Sequence, residues 1–162
     1  MMSSMFARAI TALGAILVLL AVNHSIRAKE RIIGAGEPIY LALAPVDPRS
    51  LMQGDYMALR FQLADQIEAA QLDERSSGYS RVPIQVDVRQ VATLATPGSG
   101  TKQRFIRYRL REGRVWLGTN AYFFEEGSAD QFNDARFGEF RLDRESGEAV
   151  LVGLRDAELR AL

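Results

Sequence analysis

This chain of 162 residues is poor in the two residue types that most often bind transition metals and that serve as thiol nucleophile or imidazole base. The sequence has no cysteine and one histidine, His24. Thiolate catalysis and cysteine-based metal sites are therefore excluded, and only a carboxylate site for a hard cation remains. Four acidic residues are close enough in sequence to suggest such a site: Glu125, Glu126, Asp130 and Asp134. They lack the alternating spacing of a calcium-binding loop, so we interpret them as charges that favour a helix N terminus, and we expect neither a metal nor another cofactor.

A glycine-rich loop and a basic segment are the remaining candidates for ligand binding. Residues 98–102, GSGTK, lack the spacing of a phosphate-binding loop, and we predict a flexible connection. Residues 102–114 contain six basic side chains: Lys102, Arg104, Arg107, Arg109, Arg111 and Arg114. On a strand, alternate arginines share one face, which could bind lipid headgroups or an acidic partner. Pairing with acidic residues on neighbouring strands explains the same pattern. Twenty basic and twenty acidic residues cancel over the chain, so we expect no nucleic-acid partner.

The first quarter of the chain contains an apolar segment, residues 9–26. Its length lies within the ~17–25 residues that cross a bilayer as a helix, so we predict a transmembrane anchor. A cleaved signal peptide and a buried core helix are the alternatives. Basic residues lie on both sides of the segment, and the positive-inside rule favours a cytoplasmic C-terminal domain by a single charge. His24 lies at the end of this segment, which excludes it as the base of a triad within the soluble domain.

The elements that follow the anchor have the two-residue hydrophobic period of strands. Residues 82–88 and 103–110 alternate in this way, while residues 112–113 and 144–147 are predicted turns of two hairpins. Short helices are predicted over residues 63–72 and over 128–138, the second with Ser128 as its N-cap. We therefore predict a mainly β domain, an antiparallel sheet or a sandwich- or barrel-like domain with one or two short helices, behind an N-terminal transmembrane helix. The predicted organisation is an N-terminal tail (1–8), the anchor (9–26), a linker (27–38) and a β domain (39–162).

Residues 45–61, PVDPRSLMQGDYMALRF, begin that domain with an unusual pattern. Pro45 and Pro48 exclude a regular helix or a central strand at the start of the segment. Gly54 and Asp55 predict a turn. The strand after the turn places one set of side chains towards the core and Tyr56 on the opposite face; the inward set is Met57, Leu59 and Phe61.

The segment resembles the GDYXXLXY family of bacterial membrane-anchored proteins, with Phe61 in the place of the last tyrosine of the name. A second segment, residues 118–127, GTNAYFFEEG, is similar to that family's later GIxxYFxxEG element. The resemblance implies a single-pass anchor in the bacterial inner membrane and an extracytoplasmic β domain, found beside multi-pass membrane proteins. It supplies no catalytic residues.

The stretch RSLMQGDY is also similar to a conserved box of signal peptidases. In that alignment Val46 occupies the position of the nucleophilic serine, and nothing in the sequence places an activating base beside Ser50. A membrane-surface hydrolase using Ser50 or a carboxylate pair is an alternative function. A lipid-binding or small-ligand module that uses the basic strand 102–114 is another.

We predict a non-catalytic domain that binds a protein partner, another membrane protein. Both motifs contain aromatic and acidic residues together, which is more than a hydrophobic core alone requires. The candidate binding residues are Gly54, Asp55, Tyr56, Leu59, Phe61, Tyr122, Phe123 and Glu126. The exposure of Tyr56 distinguishes a binding surface from a scaffold.

Overall fold

The computed structural model describes residues 2–44, 52–53, 56–70, 79–96 and 104–162. Over these ranges the protein is mainly antiparallel β, with 39% strand and 32% helix, which confirms the predicted fold class. Most of the helical content comes from one N-terminal helix. Several predicted features lie outside the described residues: the two prolines, Val46 and Ser50 of residues 45–51, and the glycine-rich loop 98–102.

The N-terminal helix α1 (Met2–Ala35) extends beyond the predicted anchor at both ends. Within Arg8–Ala35 an 18-residue window has a mean hydropathy of 2.0 and no buried residues, so the helix is long and apolar enough to cross a membrane. The charged residues that follow are strong helix formers, and residues 27–35 of the predicted linker are therefore helical. The helix ends at Gly36, whose amide donates to the Ile32 carbonyl at 2.8 Å and where a side chain would collide with that oxygen.

The described part of the chain then forms strands in three antiparallel sheets. The strands are β1 (Glu37–Ala42), β2 (Met52–Gln53), β3 (Tyr56–Ala58), β4 (Tyr79–Val86), β5 (Ala92–Leu94), β6 (Arg104–Arg111), β7 (Arg114–Trp116), β8 (Ala121–Phe123), β9 (Phe137–Leu142) and β10 (Ala149–Arg155). Their orders are β1-β9-β10, β2-β3-β8 and β5-β4-β6-β7. A parallel bridge between Tyr40 and Val91 connects the first sheet to the third.

Both predicted hairpins are confirmed. Glu112 and Gly113 connect β6 to β7 with φ values of 51° and 75°, the left-handed pair that a two-residue hairpin turn requires. Residues 143–148 connect β9 to β10, where the Gly147 amide donates to the Asp143 carbonyl at 2.8 Å. In both turns a glycine supplies a positive φ at little steric cost.

One of the two predicted helices is confirmed and the other is wrong. Helix α2 (Gln62–Ala69) lies close to the predicted residues 63–72 and buries one apolar face. Within residues 128–138 only a single 3₁₀ turn, Ala129–Phe132, is helical, Ser128 makes no side-chain capping bond to it, and residues 137–138 already belong to β9. The chain cannot continue as a helix because the backbone of Arg136 already bonds on both sides to strands of the first sheet.

A single hydrophobic core joins the three sheets and α2. It draws on all parts of the described domain, and its most buried side chains include Ile39, Leu41, Leu63, Ile67, Ile84, Ile106, Phe140 and Leu154. Strands from both ends of the described β region contribute to this one core.

Candidate binding surface where the two motifs meet

The two motifs are far apart in the sequence but form neighbouring antiparallel strands, β3 and β8. The register pairs Tyr56 with Phe123 and Met57 with Tyr122. The contact continues beyond the strands, since the Leu59 amide donates to the Asn120 carbonyl at 2.7 Å. The two strand segments that carry the motifs therefore belong to one small sheet.

Tyr56 and Phe123 form an aromatic pair on the outer face of this sheet. Their ring centroids are 5.8 Å apart and the rings are inclined by 40°. The Tyr56 side chain is partly buried, whereas 74% of Phe123 is exposed. Directly opposed aromatic side chains stabilise a strand pair, but most of the Phe123 ring lies outside that contact. Most of the Phe123 ring is therefore an apolar surface feature, held beside a partly buried Tyr56.

Three of the other candidate residues face the interior. Leu59 and Phe61 belong to the core, and the Phe61 ring makes an edge contact with Phe140 at 5.2 Å between centroids. The Tyr122 ring packs in the same way against Phe132 at 5.3 Å. The structure thus separates these side chains from the aromatic pair and gives them packing roles.

Glu126 lies on the surface beyond the end of β8. Its side chain is exposed and makes no hydrogen bond or ion pair with the described residues. Gly127 follows with a φ of +81°, so that the chain turns immediately after this carboxylate. Gly54 and Asp55, the remaining candidates, lie outside the described residues.

The outer edge of β8 is blocked by Thr119, a residue that the sequence did not single out. The Thr119 hydroxyl accepts a hydrogen bond from the Ala121 amide at 3.2 Å and donates one to the Ala121 carbonyl at 3.0 Å. These are the backbone groups that an added strand would use at this residue. The Thr119 hydroxyl therefore occupies the outward backbone groups of Ala121, and a strand added at this residue would have to displace it. A threonine two residues before a short strand is too common a pattern to reveal this bond in advance.

A groove of about 910 Å³ with both polar and apolar lining residues lies where α1 meets the β9–β10 turn. Glu37 lines it and accepts hydrogen bonds from Arg104 at 2.9 Å and Arg144 at 2.7 Å. Burial raises the pKa of Glu37, but the bonds from Arg144 and Arg104 outweigh this effect and lower it below its usual value. Glu37 is thus an ionised structural carboxylate. Within the described ranges, no group of three or more His, Cys, Asp or Glu residues is placed to hold a metal ion.

These features define a class of protein: a small antiparallel β domain behind a helix long enough to cross a membrane, with one exposed ring, Phe123, of an aromatic pair on a short sheet. The chain belongs to the GDYXXLXY family, because the family model described as GDYXXLXY protein matches residues 18–154. The match confirms the resemblance and includes both motifs. No curated protein and no solved structure shows a significant match to the chain.

Proposed function

We propose that this protein is a membrane-anchored, non-catalytic domain that binds another membrane protein through the aromatic pair of Tyr56 and Phe123. The observation that carries the proposal is the exposed Phe123 ring, held beside Tyr56 on the strand pair that unites the two motifs. The chain also lacks cysteine, and its one histidine lies within the long apolar helix, which supports a role without thiol or histidine-based catalysis.

The energetics of the aromatic pair favour a protein partner. A single exposed apolar residue is common on protein surfaces. Two adjacent aromatic rings are a better anchor, because aromatic side chains are enriched among the residues that dominate interface energies. Burial of the exposed part of Phe123 would contribute about 2 kcal/mol to association, a large share for one side chain.

The proposed location is the plasma membrane of a bacterium, with α1 as a single-pass anchor and the β domain on the extracytoplasmic side. The apolar window of α1 supports membrane insertion. Family membership supports the bacterial, extracytoplasmic assignment, against the one-charge excess of basic residues on the domain side of the helix. Since α1 would restrict the domain to the membrane surface, the partners within its reach are other membrane proteins.

Site-specific photo-crosslinking in native membranes tests this role. A photoreactive phenylalanine analogue replaces Phe123 in the full-length chain, and a matched chain carries the analogue at Val88, which is 99% exposed in the β4–β5 turn. We expect a discrete crosslinked product from position 123 that contains a membrane protein, and none from position 88.

A crosslinker placed at Glu126, in chains with and without Phe123→Ala, separates partner binding from stability. Phe123→Ala removes the exposed ring and should abolish capture of that partner by a crosslinker placed at Glu126, while thermal unfolding stays unchanged. Identical products from positions 123 and 88, or capture that survives the loss of the ring, would contradict the proposed surface.

A further inference from the structure

We infer that the outer face of the β4-β6-β7 sheet docks on the anionic phospholipid headgroups of the bilayer that holds α1. The inference rests on the membrane anchoring proposed above, but it is independent of the protein partner. It assigns a second surface to the domain, on a different sheet from the aromatic pair.

The alternation of buried and exposed residues defines this face. Val82, Ile106 and Tyr108 point inwards and are almost completely buried. The neighbouring residues in each strand therefore point outwards. We name this surface the basic face; its outward side chains are Arg81, Arg107, Arg109, Arg111 and Arg114, together with Tyr79, Phe105 and Trp116.

The basic face carries more positive charge than the described residues neutralise. Arg107 pairs with Glu148 at 3.0 Å, whereas the other four arginines have no acidic partner among the described residues. The register also places Arg81 directly opposite Arg107 and Arg111 directly opposite Arg114. Like charges opposite each other destabilise a strand pair. An external anion that binds between them would remove this repulsion.

Aromatic rings hold three of the guanidinium groups in place. Arg107 and Arg109 lie 4.3 Å and 5.4 Å from the centroid of the Tyr79 ring, and Arg111 lies 5.0 Å from that of Trp116. Stacking on a ring uses the face of a guanidinium and leaves its N–H donors available for phosphate oxygens. Tyr79 and Trp116 are also the residue types that favour the headgroup layer of a bilayer.

An ion-pair chain connects the basic face to the membrane end of α1. Lys29 of α1 forms an ion pair with Glu148, which also binds Arg107. Lys29 lies three residues after the apolar segment, or about 4.5 Å along the helix axis. The headgroup layer on each side of a bilayer is roughly 5–7 Å thick. With residues 9–26 in the hydrocarbon core, Lys29 would lie at headgroup level, and the ion pairs would hold Glu148 and Arg107 beside it.

Tethering through α1 favours lipid over a soluble acidic ligand. Phospholipid headgroups are present at the surface wherever α1 is inserted, whereas any other anion must reach the face by diffusion. Basic residues gain attraction to an anionic surface only within a Debye length, about 8–10 Å at moderate salt, and the ion-pair chain keeps Arg107 within that distance.

The single tryptophan makes the inference testable in the full-length chain, because Trp116 belongs to the basic face. The chain is reconstituted in vesicles of phosphatidylcholine, with or without phosphatidylglycerol, that contain a lipid with a nitroxide on its headgroup. We expect stronger quenching of Trp116 fluorescence in the anionic vesicles, and a return to the neutral-vesicle value at high salt.

A matched pair of double variants locates the effect. Arg81→Gln/Arg114→Gln removes two exposed charges from the basic face without altering a described contact to Trp116, and should leave thermal unfolding unchanged or slightly improved. At about fivefold per arginine, the docking equilibrium constant should fall roughly 30-fold. Arg89→Gln/Arg136→Gln removes two exposed charges elsewhere, together with their hydrogen bonds to backbone carbonyls, and should leave quenching unchanged; thermal unfolding of this variant measures the effect of those lost bonds.

Quenching that is equal in neutral and anionic vesicles would overturn the inference, as would equal losses in the two double variants. Alkaline extraction of the same vesicles reports on α1 separately. A chain that resists extraction but shows no dependence on anionic lipid refutes lipid docking and leaves the anchor intact. A chain that washes out refutes the anchoring on which both proposals depend.

Discussion

The two glycines that bound the second motif provide a sharp test of the backbone around the candidate surface. Gly118 and Gly127 have φ values of +75° and +81°, so an alanine at either position is strained. They differ in their surroundings. A Cβ at Gly118 would lie 2.9 Å from the carbonyl oxygen of Ala149, whereas a Cβ at Gly127 would have no atom within 4 Å.

The expected costs follow from these two environments. An alanine in the left-handed conformation costs about 1–2 kcal/mol, and the reduced entropy of the unfolded chain offsets about 0.4–1 kcal/mol of this cost. Gly127→Ala should therefore lower the free energy of unfolding by about 0.5–1 kcal/mol. Gly118→Ala should lose a further 1–3 kcal/mol or so, the usual cost of overpacking, because the Ala149 oxygen belongs to β10 and cannot move freely.

Urea unfolding of the full-length chain in detergent micelles, followed by Trp116 fluorescence, measures both variants under the same conditions. The Gly127→Ala chain is the control for positive φ, and the difference between the two unfolding free energies isolates the contact with Ala149. Equal losses, or a Gly118→Ala chain as stable as the wild type, would refute the close approach of the second motif to β10.

Three further predictions concern single side chains. Phe61→Ala should lower the free energy of unfolding by about 3–5 kcal/mol, because the Phe61 ring is only 3% exposed, whereas Phe123→Ala should change it by less than about 0.5 kcal/mol. A similar loss for both variants in urea titrations would contradict the assignment of Phe61 to the core and Phe123 to the surface. The pKa of Glu37 is lower in the folded than in the unfolded chain, so the ionised Glu37 stabilises the fold fully above the usual pKa of 4.5, and this stability is lost as the pH falls through the folded pKa. Glu37→Gln should therefore reduce the acid dependence of the melting temperature, and an unchanged pH profile would contradict this prediction. Glu139→Gln, which weakens bonds from two arginines to a buried carboxylate, should cost about 1.5–3 kcal/mol in the same titration, while the exposed Glu145→Gln should cost nothing measurable.

Local periodicity predicted much of the β domain, because each strand has one buried face. The inward positions of Met57, Leu59 and Phe61 follow directly from alternation, and so does the outward position of Arg107. The same alternation assigns Tyr56 to the face that points away from the core. Alternation reports the face of a strand but says nothing about its neighbour, so the pairing of β3 with β8 had no sequence signal.

The predictions that differ from the structure concern element ends and non-local bonds. The apolar segment has a length that fits a bilayer, but α1 continues beyond it to Ala35. The next residue, Gly36, has no room for a side chain. The predicted helix over 128–138 had a good N-cap residue and helical spacing. It gives way to β9 because bonds from distant strands to Arg136 offer the backbone a better alternative.

The division of the motif residues between interior and surface has a consequence for how the family pattern is used. Leu59, Phe61 and Tyr122 are explained by core packing, and Gly118 and Gly127 by positive φ, so these positions would be required by the fold whatever the protein binds. A chain that matches the pattern therefore shares a scaffold, and the match alone does not identify a ligand.

The fold does not require the exposed ring of Phe123 in the same way, since neither core packing nor a backbone constraint explains it. Nor does it require the arginines of the basic face that lack an acidic partner among the described residues, since like charges placed opposite each other destabilise the strand pair. One surface is apolar and aromatic and the other is basic and lies beside the anchor. A domain that docks on lipid through the basic face would be oriented relative to the bilayer, and the aromatic pair would then be presented to a neighbouring membrane protein at a fixed height.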